Sequence, residues 1–239
     1  MRAVILAGGR GTRLLPYTTV FPKPLMPIGD MPILEVVLRQ LKGAGITKVT
    51  MAVGHLAELL QAFFGDGTRL GLEIGYSRED RPLGTVGPLT LIDGLQDTFL
   101  MMNGDILTTI DYAHLIQTHR ISGAVATIAT YVRQVKIDFG VLETNAADLV
   151  REYTEKPVLD YRVSMGIYVF EPGILKYLTQ GQYRDFPDLV KTLIADNKPV
   201  RSYPFTGYWL DMGRPDDYAK AVEEFEARRR ELLREEDSA

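Results

Sequence analysis

Short β-branched apolar runs alternate with longer amphipathic stretches through the first half of this 239-residue chain, and that alternation narrows the fold more than any other feature. It is the pattern of parallel strands joined by crossover helices. Ala3-Val4-Ile5-Leu6 reads as a buried strand. Residues 32–42 read as the next helix, closed by Gly43 and Gly45, and 48–53 as the second strand. Further strands are expected at 72–76 and 98–102, with helices at 57–64 and 85–95.

The second half changes character. Residues 125–131, 137–143, 149–153 and 166–170 are strand-like with little room for helices between them, which suggests antiparallel or mixed additions to the sheet and a lid over one edge. Helices return at 172–178 and 185–195, followed by a strand at 200–203. A helix is expected from Pro215 to about Arg234, with Pro at its first turn and Tyr218, Val222, Phe225 and Leu232 along one face. The closing Arg-rich and Glu-rich stretch reads as a solvated helix end.

With 46% hydrophobic residues the chain can build one large core, and it is too short for two ordinary domains, so 1–239 reads as a single domain. A net charge of −4 without a long basic block argues against nucleic acid as a partner. The absence of cysteine removes disulfides, thiol nucleophiles and cysteine-ligated metals. The apolar run at the N-terminus is far too short for a signal peptide or a membrane span, so a cytoplasmic protein with no membrane partner is expected. His55, His114 and His119 show no metal-ligand spacing, which argues against a zinc hydrolase.

The most informative stretch begins where the first strand ends: LAGGRGTRLLPYTTVFPKPL, residues 6–25. Gly8, Gly9 and Gly11 let backbone N–H groups approach a phosphate with no β-carbon in the way, and Arg13 and Lys23 add positive charge. The stretch has neither the Gly-Lys-Ser/Thr ending of a Walker loop nor the GxGxxG spacing of a dinucleotide fold, which argues against an NAD enzyme. Taken alone, a glycine-rich turn after a strand is as compatible with a plain structural turn. The whole string, Gly-Gly-x-Gly-Thr-Arg-Leu followed by Pro-Lys-Pro-Leu, resembles the sugar-1-phosphate nucleotidylyltransferases. Four later motifs fall in that family's order, so the resemblance covers nearly the entire chain.

The resemblance implies an α/β fold: a Rossmann-like three-layer sandwich with a mixed, mainly parallel central sheet and a small antiparallel lid. It also implies an enzyme that moves a nucleoside monophosphate from an NTP onto a sugar 1-phosphate, with Mg²⁺ as cofactor. Residues implied for the nucleotide are Leu6, Ala7, Gly8, Gly9, Gly11, Thr12, Arg13 and Lys23, then Glu79, Pro82, Gly84 and Thr85, then Asn103 and Gly104. Asp105, at the end of an apolar strand, and Asp211, in Trp-x-Asp, are implied as metal ligands. On bare residue chemistry both aspartates could equally be turn or cap residues.

Glu155 and Lys156 match the family's Glu-Lys-Pro motif and are implied, with Gly140, Ser164 and Gly166, to bind the sugar phosphate. Arg13, Lys23, Asp105 and Lys156 are the implied catalytic group. Many relatives carry Asn-Ala-Gly where this chain has Ser164-Met165-Gly166, and a hydroxyl in place of the amide changes which sugar hydroxyl can be read. Pro-Leu-Gly-Thr-x-Gly after Glu79 is most similar to guanylyltransferases and some uridylyltransferases. GTP with mannose 1-phosphate or a manno-heptose 1-phosphate is the first expectation, and UTP or dTTP with glucose 1-phosphate the alternative. A non-catalytic nucleotide-sugar-binding regulatory protein is a third, and a homo-oligomer stays open.

Overall fold

A computed structural model describes residues 1–233, so Arg234 and the closing residues of the expected last helix lie outside the described range. Strand β1 (Arg2–Leu6) leads through the glycine-rich turn to the short pair β2 (Pro27–Ile28) and β3 (Met31–Pro32) and to helix α1 (Ile33–Gly43). β4 (Lys48–Val53), α2 (Ala57–Phe64), β5 (Glu73–Arg78), β6 (Phe99–Asn103), β7 (Ile106–Thr108) and α3 (Tyr112–Ser122) follow. Then come β8 (Ala126–Lys136), β9 (Val141–Thr144), β10 (Val150–Thr154), β11 (Val158–Phe170), α4 (Phe186–Ala195), β12 (Val200–Phe205), β13 (Trp209–Asp211) and α5 (Pro215–Leu233).

Seven strands form the central sheet in the order β12-β8-β11-β6-β1-β4-β5. β6, β1, β4 and β5 run parallel, β12 runs parallel to β8, and β11 is antiparallel to both its neighbours. Alternate residues of each strand serve opposite faces. Ala3, Ile5, Leu100, Met102, Ile167 and Val169 pack with α1, α2 and α3. Val4, Phe99, Met101, Tyr168 and Phe170 face the other way, onto Leu89, Phe186, Leu189 and Leu193. The result is the expected three-layer, mainly parallel arrangement, and β9 with β10 supplies the small antiparallel addition. A third cluster joins Leu14, Met26, Ile33 and Val36 to Met212, Ala221 and Phe225, so α5 is fastened over the glycine-rich segment and α1. Among the described residues no helix is long and apolar enough to cross a membrane.

Several elements differ from the sequence expectation. The strand expected at 137–143 begins only at Val141, and β7 and residues 158–165 of β11 are strand where none was expected. The helix expected at 85–95 is only a 3-10 turn, Gly87–Leu91: Gly87, Pro88 and Gly94 interrupt the stretch, and the N–H groups of Thr85, Val86 and Gly87 bond across to residues 184 and 185. The helix expected at 172–178 is likewise a 3-10 turn, Pro172–Tyr177. Residues 112–122, given no element above, form α3, capped by the Asp111 carboxylate on the His114 N–H and ended by Gly123 at φ 66°. α3 buries Tyr112, Leu115, Ile116 and His119, the i, i+3, i+4, i+7 stripe that a capped amphipathic helix presents.

Phe225 is fully buried in the third cluster, with its ring against Gly29. Phe225→Ala is expected to lower unfolding stability by about 3–5 kcal/mol, read as a fall in the urea midpoint with unchanged slope.

Candidate active site

β1 and β6 are neighbours from which the strand order runs in opposite directions, to β4 and β5 on one hand and to β11 and β8 on the other, and open α/β sheets bind ligands at such a switch point, outside the carboxyl ends of the strands. The register pairs Leu6 with Asn103, and the Gly104 N–H donates to the Leu6 carbonyl at 3.0 Å. The turn after β1 and the Asn103-Gly104-Asp105 turn after β6 are thereby set side by side. A Cβ on Gly104 would lie 3.1 Å from the Ile5 side chain, so the second turn needs its glycine for this approach.

A cleft of about 790 Å³ opens there. Of the sequence-derived nucleotide residues, Leu6, Ala7, Gly8, Gly9, Gly11, Arg13, Lys23, Glu79, Pro82, Gly84, Thr85 and Asn103 line it, as does Asp105. Thr12 opens the adjoining turn Thr12–Leu14 and Gly104 is buried beneath the cleft; neither lines it. Arg10, His55, Arg78, Arg81 and Tyr183, given no nucleotide role from the sequence, line it too. Arg10 lies within the glycine-rich segment and Arg81 between Glu79 and Pro82, while His55 and Arg78 arrive because β4 and β5 end at the same edge as β1 and Tyr183 because the chain before α4 folds back on residues 83–87.

The ammonium of Lys23 is hydrogen-bonded to the Asp105 carboxylate. Burial pulls the Lys23 pKa from its ordinary 10.5 down to about 8, with Arg13 pushing the same way and Asp211 and Asp217 opposing. Asp211 arrives on β13, which pairs antiparallel with β7 so that Asp211 faces Ile106, and the Met212 N–H donates to the Asp105 carbonyl at 3.2 Å. A Cβ on Gly213 would come 3.1 Å from Asp211 Oδ1 and 3.3 Å from the Arg13 guanidinium. The fold thus gathers Arg13, Lys23, Asp105 and Asp211 from four separate segments. Among the described residues no three His, Asp or Glu side chains converge as a ready metal cage. Two neighbouring aspartates are the donor set that suits Mg²⁺, which takes one or two carboxylates and completes its shell with substrate phosphates and water.

On the opposite wall, Glu79 Oε2 accepts the Leu83 N–H at 3.0 Å. Its other oxygen sits where Cβ atoms on Gly8 and Gly54 would be, at 2.9 and 3.2 Å. Burial raises the Glu79 pKa and the Leu83 bond opposes that.

The sugar-side residues divide. Gly166, at φ 75°, lies against Asn103, where a Cβ would be 2.7 Å from its amide nitrogen. Ser164 bonds the Tyr168 hydroxyl at 3.1 Å and lines a second cavity, of about 650 Å³, that shares Thr85 with the first. Gly140 lies against the Tyr153 ring, and the Tyr153 hydroxyl donates to Glu155 at 2.7 Å. Glu155 and Lys156 are exposed at the end of the β9–β10 hairpin, 3.9 Å apart, and line neither cavity.

The sequence pattern of the nucleotidyl transferase family matches residues 2–228. The chain belongs to that family. It is 34% identical over 242 residues to a UTP–glucose-1-phosphate uridylyltransferase of Synechocystis sp., covering 93% of this chain and 62% of the relative. It is 36% identical over 225 residues to a mannose-1-phosphate guanylyltransferase of Mycobacterium tuberculosis, covering 91% of this chain and 62% of the relative. The chain thus spans less than two thirds of the length of these relatives. Its fold is shared with a Bacillus anthracis protein described as a glucose-1-phosphate thymidylyltransferase, at TM-score 0.75 and 24% identity over 93% of this chain and 94% of that one. It is shared also with HddC from Yersinia pseudotuberculosis complexed with GMP-PN, at TM-score 0.70 and 23% identity over 94% and 99%.

Because the folded pKa of Lys23 lies below its unfolded value, the unfolded chain binds the extra proton between about pH 8 and 10.5. The cost of burying the ammonium is therefore full below that window and relieved as pH rises through it. In metal-free buffer, the stability of the native chain minus that of Lys23→Met is expected to rise across this window and to be flat below it, read by urea denaturation at each pH.

Proposed function

We propose that this family member transfers a nucleoside monophosphate from an NTP to a sugar 1-phosphate, giving a nucleotide-diphospho-sugar and pyrophosphate. The convergence of Arg13, Lys23 and Asp105 on the glycine-lined cleft, with Asp211 brought beside them on β13, is the observation that carries it.

A sugar 1-phosphate has its second pKa near 6, by analogy with other phosphate monoesters, so it is a dianion at neutral pH and attacks without a general base. The barrier is the approach of that anion to the anionic α-phosphate, and positioning with charge neutralisation lowers it. In this reading the N–H groups of Gly8, Gly9 and Gly11 cradle the triphosphate. Arg13 and Lys23 hold the leaving pyrophosphate, and Lys156 aligns the sugar phosphate. Asp105 and Asp211 would hold Mg²⁺, which when bound supplies positive charge between the two substrates. Glu155 and Ser164 read sugar hydroxyls.

For the base we favour GTP, with mannose 1-phosphate or a manno-heptose 1-phosphate as acceptor. Guanine presents an N–H and NH₂ edge, and the Glu79 carboxylate on the cleft wall accepts from such donors. The relatives include a uridylyltransferase as well as guanylyltransferases, so UTP with glucose 1-phosphate is the competing pair.

A matrix of NTPs against hexose and heptose 1-phosphates, scored by pyrophosphate release, is expected to give its strongest signal with GTP and a manno-configured acceptor. Silence across the whole matrix sinks the reaction class; a maximum at UTP and glucose 1-phosphate sinks only the substrate assignment. Asp105→Asn is expected to lower turnover at least about a hundredfold while leaving the circular dichroism spectrum unchanged.

A further inference from the structure

Asp185 directly precedes α4, where an aspartate ordinarily spends its carboxylate on the N–H groups of the first helical turn. Here the side chain makes no cap bond. Its Oδ1 instead accepts from the Thr85 N–H at 3.1 Å and faces the Thr85 hydroxyl at 3.4 Å, across 100 residues of sequence. Its Oδ2 accepts from the Tyr183 hydroxyl. Thr85 and Tyr183 both line the nucleotide cleft, so one carboxylate joins two pieces of its wall.

The surrounding backbone is built for this junction. The Arg184 N–H donates to the Leu83 carbonyl at 2.9 Å, the Arg184 carbonyl accepts from Val86 and Gly87, and the Phe186 N–H donates to the Thr85 hydroxyl at 2.6 Å. A Cβ on Gly84 would lie 2.6 Å from the Arg184 carbonyl, and one on Gly87 2.7 Å from the Gln182 carbonyl. These glycines therefore serve the approach of two chain segments to each other. The apolar anchors beneath, Leu83, Val86 and Phe186, are buried, while Thr85 and Tyr183 are exposed to the cleft. Without the Asp185 carboxylate the buried side of the loop stays fixed, while the cleft side keeps only the Phe186 N–H on the Thr85 hydroxyl and Tyr183 loses its acceptor.

We propose that Asp185 is a positioning residue for the NTP, setting the cleft wall on the base side through Thr85 and Tyr183. The proposal rests on the nucleotide cleft assigned above and adds a residue to it that touches no substrate. It makes nucleotide selection depend on a chain segment a hundred residues beyond the loop that carries Glu79.

Steady-state kinetics of Asp185→Ala, Asp185→Asn and Tyr183→Phe test it. Asp185→Ala removes a charged acceptor and is expected to raise KM for the NTP about tenfold, with kcat and KM for the sugar phosphate changed less than about twofold. The same variant narrows the kcat/KM ratio between the preferred NTP and the next best, an effect that loss of fold stability alone does not produce. Asp185→Asn keeps an acceptor for Thr85 and is expected to recover most of the native KM. Tyr183→Phe removes one tie and is expected to fall between native and Asp185→Ala. Unchanged NTP KM and unchanged base preference in Asp185→Ala overturn the proposal, as does an equal rise in both substrates' KM or a failure of Asn to rescue. If the native chain turns over no pair, the proposed reaction fails. Calorimetric binding of GTP, UTP and dTTP to the native chain and Asp185→Ala then decides the positioning role on its own, with equal affinities overturning it.

Discussion

Everything at the candidate site depends on the parallel pairing of β1 with β6. That pairing, in the register Leu6 to Asn103, sets the glycine-rich turn and the turn bearing Asp105 at one edge. It is maintained from below by residues that have nowhere else to go: Ala3, Val4, Ile5, Leu100, Met101 and Met102 are fully buried. A shift of one residue would exchange their faces, sending the residues packed on α1 toward α4 and the reverse. The burial that stabilises the sheet therefore also fixes where the phosphate turn meets the carboxylate. Asp211 is brought to this edge differently, by the short β7–β13 pairing and by α5 packed over α1. The buried Gln40 side chain strengthens that second route, donating to the carbonyls of Thr108 and Leu232 and so tying β7 and α5 to one point of α1.

What was legible in the sequence is what repeats or what needs glycine. The buried strands 3–6 and 48–53 are legible as short β-branched apolar runs bounded by turn residues, and the helix 57–64 by its length and apolar spacing. α3 carried an equally clear pattern, Asp111 before it and Gly123 after it around a buried stripe, but its two histidines and its polar content obscured the period. The 85–95 stretch carries its breakers openly, Gly87-Pro88 and Gly94 among β-branched residues, so its apolar content alone suggested a helix that the backbone does not support. The bonds of Thr85, Val86 and Gly87 to residues 184 and 185 have no local pattern to announce them.

The same division runs through the site. Gly8, Gly11, Arg13, Lys23 and Asp105 sit on turns directly after strands, so a linear motif describes them well, and the fold brings them together. Arg10 lies inside the glycine-rich segment and Arg81 between Glu79 and Pro82, whereas His55, Arg78 and Tyr183 join them only because β4 and β5 end beside β1 and because residues 181–186 fold back on 83–87. No motif links these last three. Glycine roles shift accordingly: Gly84 and Gly87, readable as phosphate or base contacts, are held first by the closeness of another backbone.

The two ends of the cleft are supported by different physics. Along the glycine-lined cleft a chain of net charge −4 sets Arg10, Arg13, Lys23, Arg78 and Arg81 against Glu79, Asp80 and Asp105, so the cleft carries an excess of positive charge on turns that follow the strands. The Lys23 ammonium pays for its burial with a lowered pKa, and Asp105 and Asp211 keep that charge matched. On the sugar side, Glu155 and Lys156 stand on a hairpin whose strands are exposed along almost their whole length. Local contacts order them, Tyr153 with Glu155 and the Asn145 turn bonding Ala147 and Leu149, together with the Ile137 N–H on the Pro157 carbonyl where the chain enters β11. Segments with few buried apolar contacts open at low free energy. On the proposed function, acceptor selection falls on a hairpin with little core packing, where substitution costs the sheet little, and phosphate binding falls on turns that leave the buried strands β1 and β6.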